Sequence, residues 1–141
     1  MSIHGIGIDI VEVARVAAAA EKHGPAFAAR FLTPGERAYC DAKARPAIHQ
    51  AARFAAKEAV AKALGTGIGG DCGWLDIEIT RDDATGAPGV RLTGAAAAFA
   101  AARGIAEVRV SLSHTRDTAV ANAIAISRTT RHPDQTPESG C

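Results

Sequence analysis

One stretch decides the fold of this chain: Arg53-Phe-Ala-Ala-Lys57-Glu58-Ala-Val-Ala-Lys62-Ala-Leu-Gly65-Thr66-Gly67. It is rich in alanine and free of proline, and a glycine follows Leu64, so it predicts a helix that ends there. At helical period the small side chains share one face, and the opposite face carries Lys57, Glu58 and Lys62. The small-residue face suits close packing on a sheet or another helix. Taken alone, the charged face is typical of a solvated surface, with a Glu58–Lys62 pair worth about 0.2–0.5 kcal/mol.

Length and composition are those of an ordinary globular chain. The size of 141 residues favours one domain, and 48% hydrophobic with 22% charged residues is typical of a soluble protein. A net charge of +1 argues against non-specific binding to nucleic acid. We expect neither a signal peptide nor a membrane span, because no suitable apolar run occurs. The three cysteines are widely spaced and match no zinc or disulfide pattern, so we expect a cytoplasmic protein.

Residues 3–11 alternate as a strand whose two faces differ. One face carries isoleucine at positions 6, 8 and 10, and the other carries Gly5, Gly7 and Asp9. Two glycines beside an aspartate leave the backbone open to close approach by a ligand. A carboxylate flanked by isoleucines is costly to keep ionised without a compensating cation. Asp9 therefore indicates a ligand site, with helix capping or an arginine pair as the alternative.

The other segments predict an α+β domain, with a mostly antiparallel sheet and a long central helix. Gly24-Pro25 is expected to end the first helix, and Thr33 followed by Pro34 and Glu36 is a capping signature for the second. The expected elements occupy residues 3–11 (strand), 13–23, 33–43 and 53–64 (helices), 75–80 and 90–93 (strands), 94–103 (helix), 108–114 and 119–126 (strands). The domain is expected to cover residues 1–127. Residues 128–141 are expected to form a disordered tail, because polar residues and proline dominate there.

Positive charge gathers ahead of the central helix, and it comes from Lys43, Arg45, His49 and Arg53. These charges indicate either a solvated face or a landing site for phosphate. His114 follows two serines and precedes Thr115. A histidine in that position is more often a structural residue, although the hydroxyls and the imidazole also suit an anion. The glycine-rich loop after residue 64 matches neither the P-loop nor the dinucleotide fingerprint.

Three motifs stand together in the chain. They are Gly5-Ile-Gly7-Ile-Asp9-Ile-Val-Glu-Val-Ala-Arg15, Arg53-Phe-Ala-Ala-Lys57-Glu58-x-x-x-Lys62-Ala-Leu-Gly65-Thr-Gly67 and Ser111-Leu-Ser113-His114-Thr115. In this order and spacing they resemble the holo-acyl-carrier-protein synthases, the small class of 4′-phosphopantetheinyl transferases, over roughly residues 3 to 127. The resemblance implies that class's fold and its reaction. In that reaction 4′-phosphopantetheine passes from coenzyme A to a serine of an acyl carrier protein, releasing adenosine 3′,5′-bisphosphate.

The resemblance also implies a role for each matching residue. Asp9 and Glu58 would bind Mg²⁺, Glu58 would take the proton of the serine, and Lys62 would stabilise the leaving phosphate. Arg15 resembles the residue with which the family grips its acidic carrier, and Lys22 shares its helix face. The candidates for binding coenzyme A are Arg45, Arg53, Gly65, Thr66, Gly67 and His114.

The resemblance further implies a homotrimer with active sites at the subunit interfaces. Phe54 gives modest support, because it lies on the polar helix face where a partner chain could cover it. Two alternatives stay open: the same transfer onto a secondary-metabolism carrier rather than in fatty-acid biosynthesis, and a non-enzymatic oligomeric α+β binding module. Thr115 stands where some relatives carry an acidic residue, and Asp117 follows two positions later, so no catalytic carboxylate is assigned there.

Overall fold

The computed structural model describes residues 1–128, so the predicted disordered tail lies outside the described residues from 129 onward. No helix within 1–128 is both long and apolar enough to cross a membrane. The elements are β1 (Ser2–Glu12), α1 (Val13–His23), α2 (Pro25–Phe31), α3 (Pro34–Asp41), α4 (Pro46–Leu64), β2 (Ile77–Arg81), β3 (Pro88–Leu92), α5 (Gly94–Ala102), β4 (Ile105–His114) and β5 (Thr118–Ser127), with a single 3-10 turn at Trp74–Asp76.

The strands form two antiparallel sheets. One has the order β1-β5-β4, and the other is the hairpin of β2 and β3. β1 pairs with β5 from Ser2 opposite Ser127 to Glu12 opposite Thr118, so the first and last strands of the described chain are neighbours. The predicted α+β class with an antiparallel sheet is confirmed, and the sheet is divided between these two pieces.

The central helix α4 packs on the three-stranded sheet through small residues. Buried alanines cover both sides of this interface, at 55, 56, 59 and 63 on the helix and at 119, 121, 123 and 125 on β5. A Cβ at Gly7 would lie 2.0 Å from the carbonyl oxygen of Ala59, and one at Gly5 would lie 2.2 Å from that of Ala63. The close approach predicted at these glycines is confirmed, but it is α4 and not a ligand that fills the space they leave.

Two helix starts differ from the prediction for one reason. Gly24-Pro25 ends α1 as expected, but Pro25 also begins α2, which the sequence prediction omitted. Pro46 likewise begins α4, seven residues before the predicted start at Arg53. Proline is well tolerated in the first helical turn, since the amide hydrogen it lacks has no partner there. The predicted capping box of α3, between Thr33 and Glu36, is confirmed in both directions.

The opposite face of β1 is apolar, and none of residues 1–128 covers it. Its isoleucines are 61–68% exposed, and they are Ile3, Ile6, Ile8 and Ile10. We call these four residues the isoleucine face. Monomeric proteins seldom expose a contiguous apolar row of this kind, so the face indicates a surface that another molecule covers.

Candidate active site

Asp9 and Glu58 line the same cavity, which has a volume of about 680 Å³. β1 supplies Asp9, α4 supplies Glu58, and α1 contributes Arg15 to the same lining. Phe27 and Phe54 form an aromatic part of the wall. We call this space the carboxylate cavity. It brings together three of the predicted site residues that are far apart in the sequence.

Lys62 lies beside this pair and makes its ion pair with Asp9. Its Nζ is 3.4 Å from Asp9 Oδ1 and donates a hydrogen bond to the carbonyl oxygen of Ile8 at 3.0 Å. The Glu58–Lys62 surface pair expected from helical spacing is thus replaced by a contact between helix and strand. Burial raises the pKa of Glu58, the charge of Asp9 raises it further, and the charge of Lys62 opposes both. A cation that lowered the repulsion between the two carboxylates would therefore be stabilised here.

The donor set fits a divalent cation that shares its coordination with a substrate. Among residues 1–128, no three His, Cys, Asp or Glu side chains are grouped so that they could enclose a metal ion. Mg²⁺ is usually held by one or two carboxylates, with waters and substrate phosphates as its other ligands. Asp9 and Glu58 supply that number of carboxylates.

Lys57 does not belong to the charged helix face on which it was predicted. It is fully buried, and its Nζ lies 2.7 Å from Glu36 Oε1 in α3. The same ammonium donates to the carbonyl oxygens of Phe31 at 2.5 Å and Trp74 at 3.1 Å. The charged face of α4 is therefore reduced to Glu58 and Lys62.

Arg53 and His114 line a second, smaller cavity of about 200 Å³. Arg53 is only 7% exposed, its guanidinium stacks 4.0 Å from the centroid of the Tyr39 ring, and its Nε has no hydrogen-bond partner within the described part of the chain. His49 and Arg81 complete a cluster of basic groups around this space, which we call the basic cavity. Burial, followed by the charge of His114, lowers the pKa of His49.

Two residues of the basic cavity, Tyr39 and Arg81, received no role in the sequence analysis. His49 belongs to the positive charge expected ahead of Arg53, and it precedes Arg53 by four residues on α4, a spacing that puts both on one helix face. Tyr39 and Arg81 come from α3 and β2, and the Arg81 guanidinium donates a hydrogen bond to the Tyr39 hydroxyl. No sequence signal connects those two elements with the helix.

The other predicted residues lie apart from both cavities. Gly65 is the left-handed residue that ends α4, about 18 Å along the helix axis from Arg53 at 1.5 Å per residue. Thr66 donates its hydroxyl to the carbonyl oxygen of Ala61, which makes it part of the same helix cap. Gly67 follows with a positive φ of 62°.

Arg45 and Lys22 are exposed at helix ends. Arg45 is the N-cap residue of α4, and Lys22 lies in the last turn of α1. Neither residue lines the carboxylate cavity or the basic cavity. The structure therefore joins Arg15, but not Lys22, to the carboxylate pair.

Comparison with known proteins assigns this arrangement to a family. The family model described as the 4′-phosphopantetheinyl transferase superfamily matches residues 5–123, which include Asp9, Glu58, Lys62 and His114. The chain belongs to the 4′-phosphopantetheinyl transferase superfamily. This finding confirms the predicted family and the prediction that the chain is a transferase.

Relatives and solved structures agree with this membership of the phosphopantetheinyl transferases. The holo-[acyl-carrier-protein] synthase of Desulforudis audaxviator is 53% identical over 124 residues, which are 88% of this chain and 93% of the relative. The crystal structure of the synthase from Neisseria meningitidis has a TM-score of 0.82 at 40% identity, covering 88% of this chain and 98% of the other. The Helicobacter pylori synthase, solved in complex with coenzyme A, has a TM-score of 0.75 at 34% identity, covering 85% and 98%.

Proposed function

We propose that this transferase moves 4′-phosphopantetheine from coenzyme A to a serine of an apo acyl carrier protein, giving holo carrier protein and adenosine 3′,5′-bisphosphate. The observation that carries the proposal is the placement of Asp9 and Glu58 in one cavity beside Lys62. Membership of the transferase family favours this reaction over a non-enzymatic binding module. No feature of residues 1–128 specifically indicates such a module.

Each residue of this group has a task that its chemistry suits. Asp9 and Glu58 would hold Mg²⁺, which supplies neutralisation of the negative charge on the pyrophosphate of coenzyme A. Glu58, whose pKa is raised mainly by burial, accepts the proton of the serine hydroxyl as its oxygen attacks the phosphorus that carries pantetheine. The bond from that phosphorus to adenosine bisphosphate breaks, and Lys62 donates a hydrogen bond to the leaving phosphate oxygen.

We further propose that Arg53 and His114 bind the 3′-phosphate of coenzyme A. Arg53 is buried in a cavity rich in basic groups, and its Nε has no hydrogen-bond partner among residues 1–128, which is the environment that a phosphate needs. The loop of Gly65, Thr66 and Gly67 would approach the nucleotide through its backbone. Arg45 is retained as a candidate for the same anion, although in a single chain it lies outside the basic cavity.

The separation of these groups supports active sites built between subunits of a homotrimer. Arg53, proposed for the 3′-phosphate, and Gly65, proposed for the nucleotide, lie about 18 Å apart along α4, so within a single chain they lie too far apart to bind one adenosine 3′-phosphate. The isoleucine face supplies the apolar surface that a stable assembly buries. Phe54 gives no support for a covering partner chain, because its ring packs within its own chain against Phe31 and Trp74.

Carrier recognition is proposed for Arg15 and Lys22 on α1. Both side chains are exposed, and a spacing of seven residues puts them on one helix face. Arg15→Glu and Lys22→Glu should each raise the KM for an acidic carrier protein, because charge complementarity is lost. Arg15 also lines the carboxylate cavity, so Lys22→Glu is the cleaner variant. An equal rise in the KM for coenzyme A in Lys22→Glu would refute this surface.

The proposed setting is fatty-acid biosynthesis in the cytoplasm. Cys40 and Cys72 are free and buried thiols, which supports a reducing compartment. A carrier of secondary metabolism remains the second candidate substrate, and apo forms of both carriers offered in competition would separate the two.

The decisive experiment is mass spectrometry of an apo carrier protein incubated with this protein, coenzyme A and Mg²⁺. One serine should gain the phosphopantetheine mass. Asp9→Asn and Glu58→Gln should each nearly abolish the transfer, and the double variant should lose little more, because both act on one ion. Glu107→Gln is a matched control, since it neutralises an exposed carboxylate of β4 outside the carboxylate cavity. Folded single variants with wild-type turnover and Mg²⁺ dependence would contradict the metal assignment.

A further inference from the structure

The buried ion pair of Lys57 and Glu36 joins four separate segments of the chain. The two side chains are 0% and 1% exposed and lie 2.7 Å apart. The Lys57 ammonium also donates to the carbonyl oxygen of Phe31, at the end of α2, and to that of Trp74, in the turn before β2. An ammonium group has three hydrogens to donate, so all of its bonding capacity is used.

The carboxylate of Glu36 is equally well satisfied. Its Oε1 also accepts the backbone N–H of Thr33, and its Oε2 accepts that of Ile79 in β2, both at 2.9 Å. Burial lowers the pKa of Lys57, and the charge of Glu36 opposes that effect. Replacing a buried ion pair with apolar side chains of similar volume is often neutral or stabilising, so stability alone gives no reason for this pair.

The carbonyls that Lys57 holds belong to residues whose rings support the carboxylate cavity. The Phe31 and Trp74 rings lie 5.5 Å and 4.7 Å from the Phe54 ring, and Phe31 lies 5.2 Å from Phe27. Phe27 and Phe54 in turn line the cavity that contains Asp9 and Glu58. We call these four rings the aromatic wall.

We propose that the Lys57–Glu36 pair is a positioning unit for the transfer reaction. The pair fixes the aromatic wall because Lys57 donates to the backbone carbonyls of Phe31 and Trp74. It also fixes the turn of α4 in which Glu58 directly follows Lys57. Neither member lines the carboxylate cavity, so the pair acts through Glu58 and the wall. The expected effect of the pair on turnover rests on the proposed function, whereas its expected effect on the aromatic wall does not depend on that function.

The test uses Lys57→Met, which keeps the length of the side chain, and Glu36→Gln, which keeps the size. Trp74 is the chain's single tryptophan, so its fluorescence reports on the aromatic wall alone. In the fully folded protein at saturating substrates, kcat should fall by about 10- to 100-fold, the range expected when reacting groups shift by up to 1 Å. The KM for coenzyme A should change little, because the basic cavity lies on other residues. Acrylamide quenching of Trp74 should increase in both variants.

Ile105→Ala is the matched control for lost stability. Ile105 is the buried first residue of β4, and it lines neither the carboxylate cavity nor the aromatic wall. It should lower the melting temperature while leaving kcat of the folded protein and the quenching of Trp74 unchanged. A purely structural role for the ion pair predicts the same behaviour for Lys57→Met.

The outcomes separate the two proposals. Folded Lys57→Met with wild-type kcat and wild-type quenching would overturn the positioning role. Should Lys57→Met fail to fold, Glu36→Gln decides by the same two readouts, since it keeps the size of the side chain but removes the charge that holds the Lys57 ammonium. A wild-type protein that transfers no phosphopantetheine would refute the proposed function, and the quenching comparison would then decide whether the pair holds the wall.

Discussion

Replacing Gly7 with alanine tests how closely β1 and α4 must approach. The added methyl would lie 2.0 Å from the Ala59 carbonyl oxygen and 2.9 Å from the Ala63 nitrogen, whereas contacts of a real Cβ below 3.0 Å essentially never occur. Both obstacles are helix backbone, which cannot rotate aside. Gly7 is not among the glycines with positive φ, so the clash is one of space and not of backbone conformation. Strand and helix must therefore separate by about 1 Å, the shortfall implied by a 2.0 Å contact.

The magnitude follows from that separation. Overpacking of a close interface costs about 1–3 kcal/mol. For a domain of this size we expect the melting temperature to fall by roughly 3–10 °C. Asp9 lies two residues beyond Gly7, and Glu58 directly precedes Ala59, so the same movement separates the two carboxylates. A displacement of this size costs on the order of 100-fold in rate.

The assay combines thermal unfolding by circular dichroism with turnover measured well below the melting temperature. Gly35→Ala is the control, because a Cβ there meets nothing within 4 Å and the residue lies inside α3. It should be neutral or stabilise the protein by about 0.5–1 kcal/mol. A Gly7→Ala protein that melts with the wild type and keeps its turnover would refute the account of the interface.

Three further predictions follow from single residues. The pKa of Glu58 is raised, mainly by burial, so the protein loses stability as the pH rises from the ordinary glutamate range through that raised value. In calorimetry without metal, Glu58→Gln should therefore have a higher melting temperature than wild type at pH 8 and the same melting temperature near pH 4. Ile8→Glu should convert a wild-type trimer into folded monomers in analytical ultracentrifugation, and an active wild-type monomer would contradict the trimer. Burial raises the pKa of Cys40 to about 11, so iodoacetamide at pH 8 should leave this thiol unmodified until the protein is unfolded, as peptide mass spectrometry would show.

Features set by a few neighbouring residues could be predicted from the sequence. The bounds of α1 match the predicted helix 13–23, and α4 ends where glycine follows Leu64. The capping box of Thr33 and Glu36 needs only residues within one helical turn. The carboxylate pair was reached differently, through a resemblance that combines motifs far apart in the chain.

Features set by distant contacts could not be predicted. Helical period places Lys57 beside Glu58, but its partner Glu36 lies 21 residues earlier on another helix. Periodicity states which residues share a face and leaves open what covers that face. For this reason the sequence predicts a close approach at Gly5 and Gly7 but not that α4 makes it, and the isoleucine face cannot be recognised as exposed.

The strand order has a consequence for how the chain is made. Of the strands within residues 1–128, β5 is the last to be synthesised, yet it is the middle strand of its sheet, and β1 pairs with it from Ser2 opposite Ser127 to Glu12 opposite Thr118. Pairing strands so far apart in sequence closes a long loop, and the chain loses that conformational entropy before any strand pairs stabilise it. Folding is slower for this reason. On the ribosome, both edges of β1 stay unpaired until the ten residues of β5 have emerged. A chain released before Thr118 would carry a complete α4 with Glu58, but no middle strand to hold Asp9 against it.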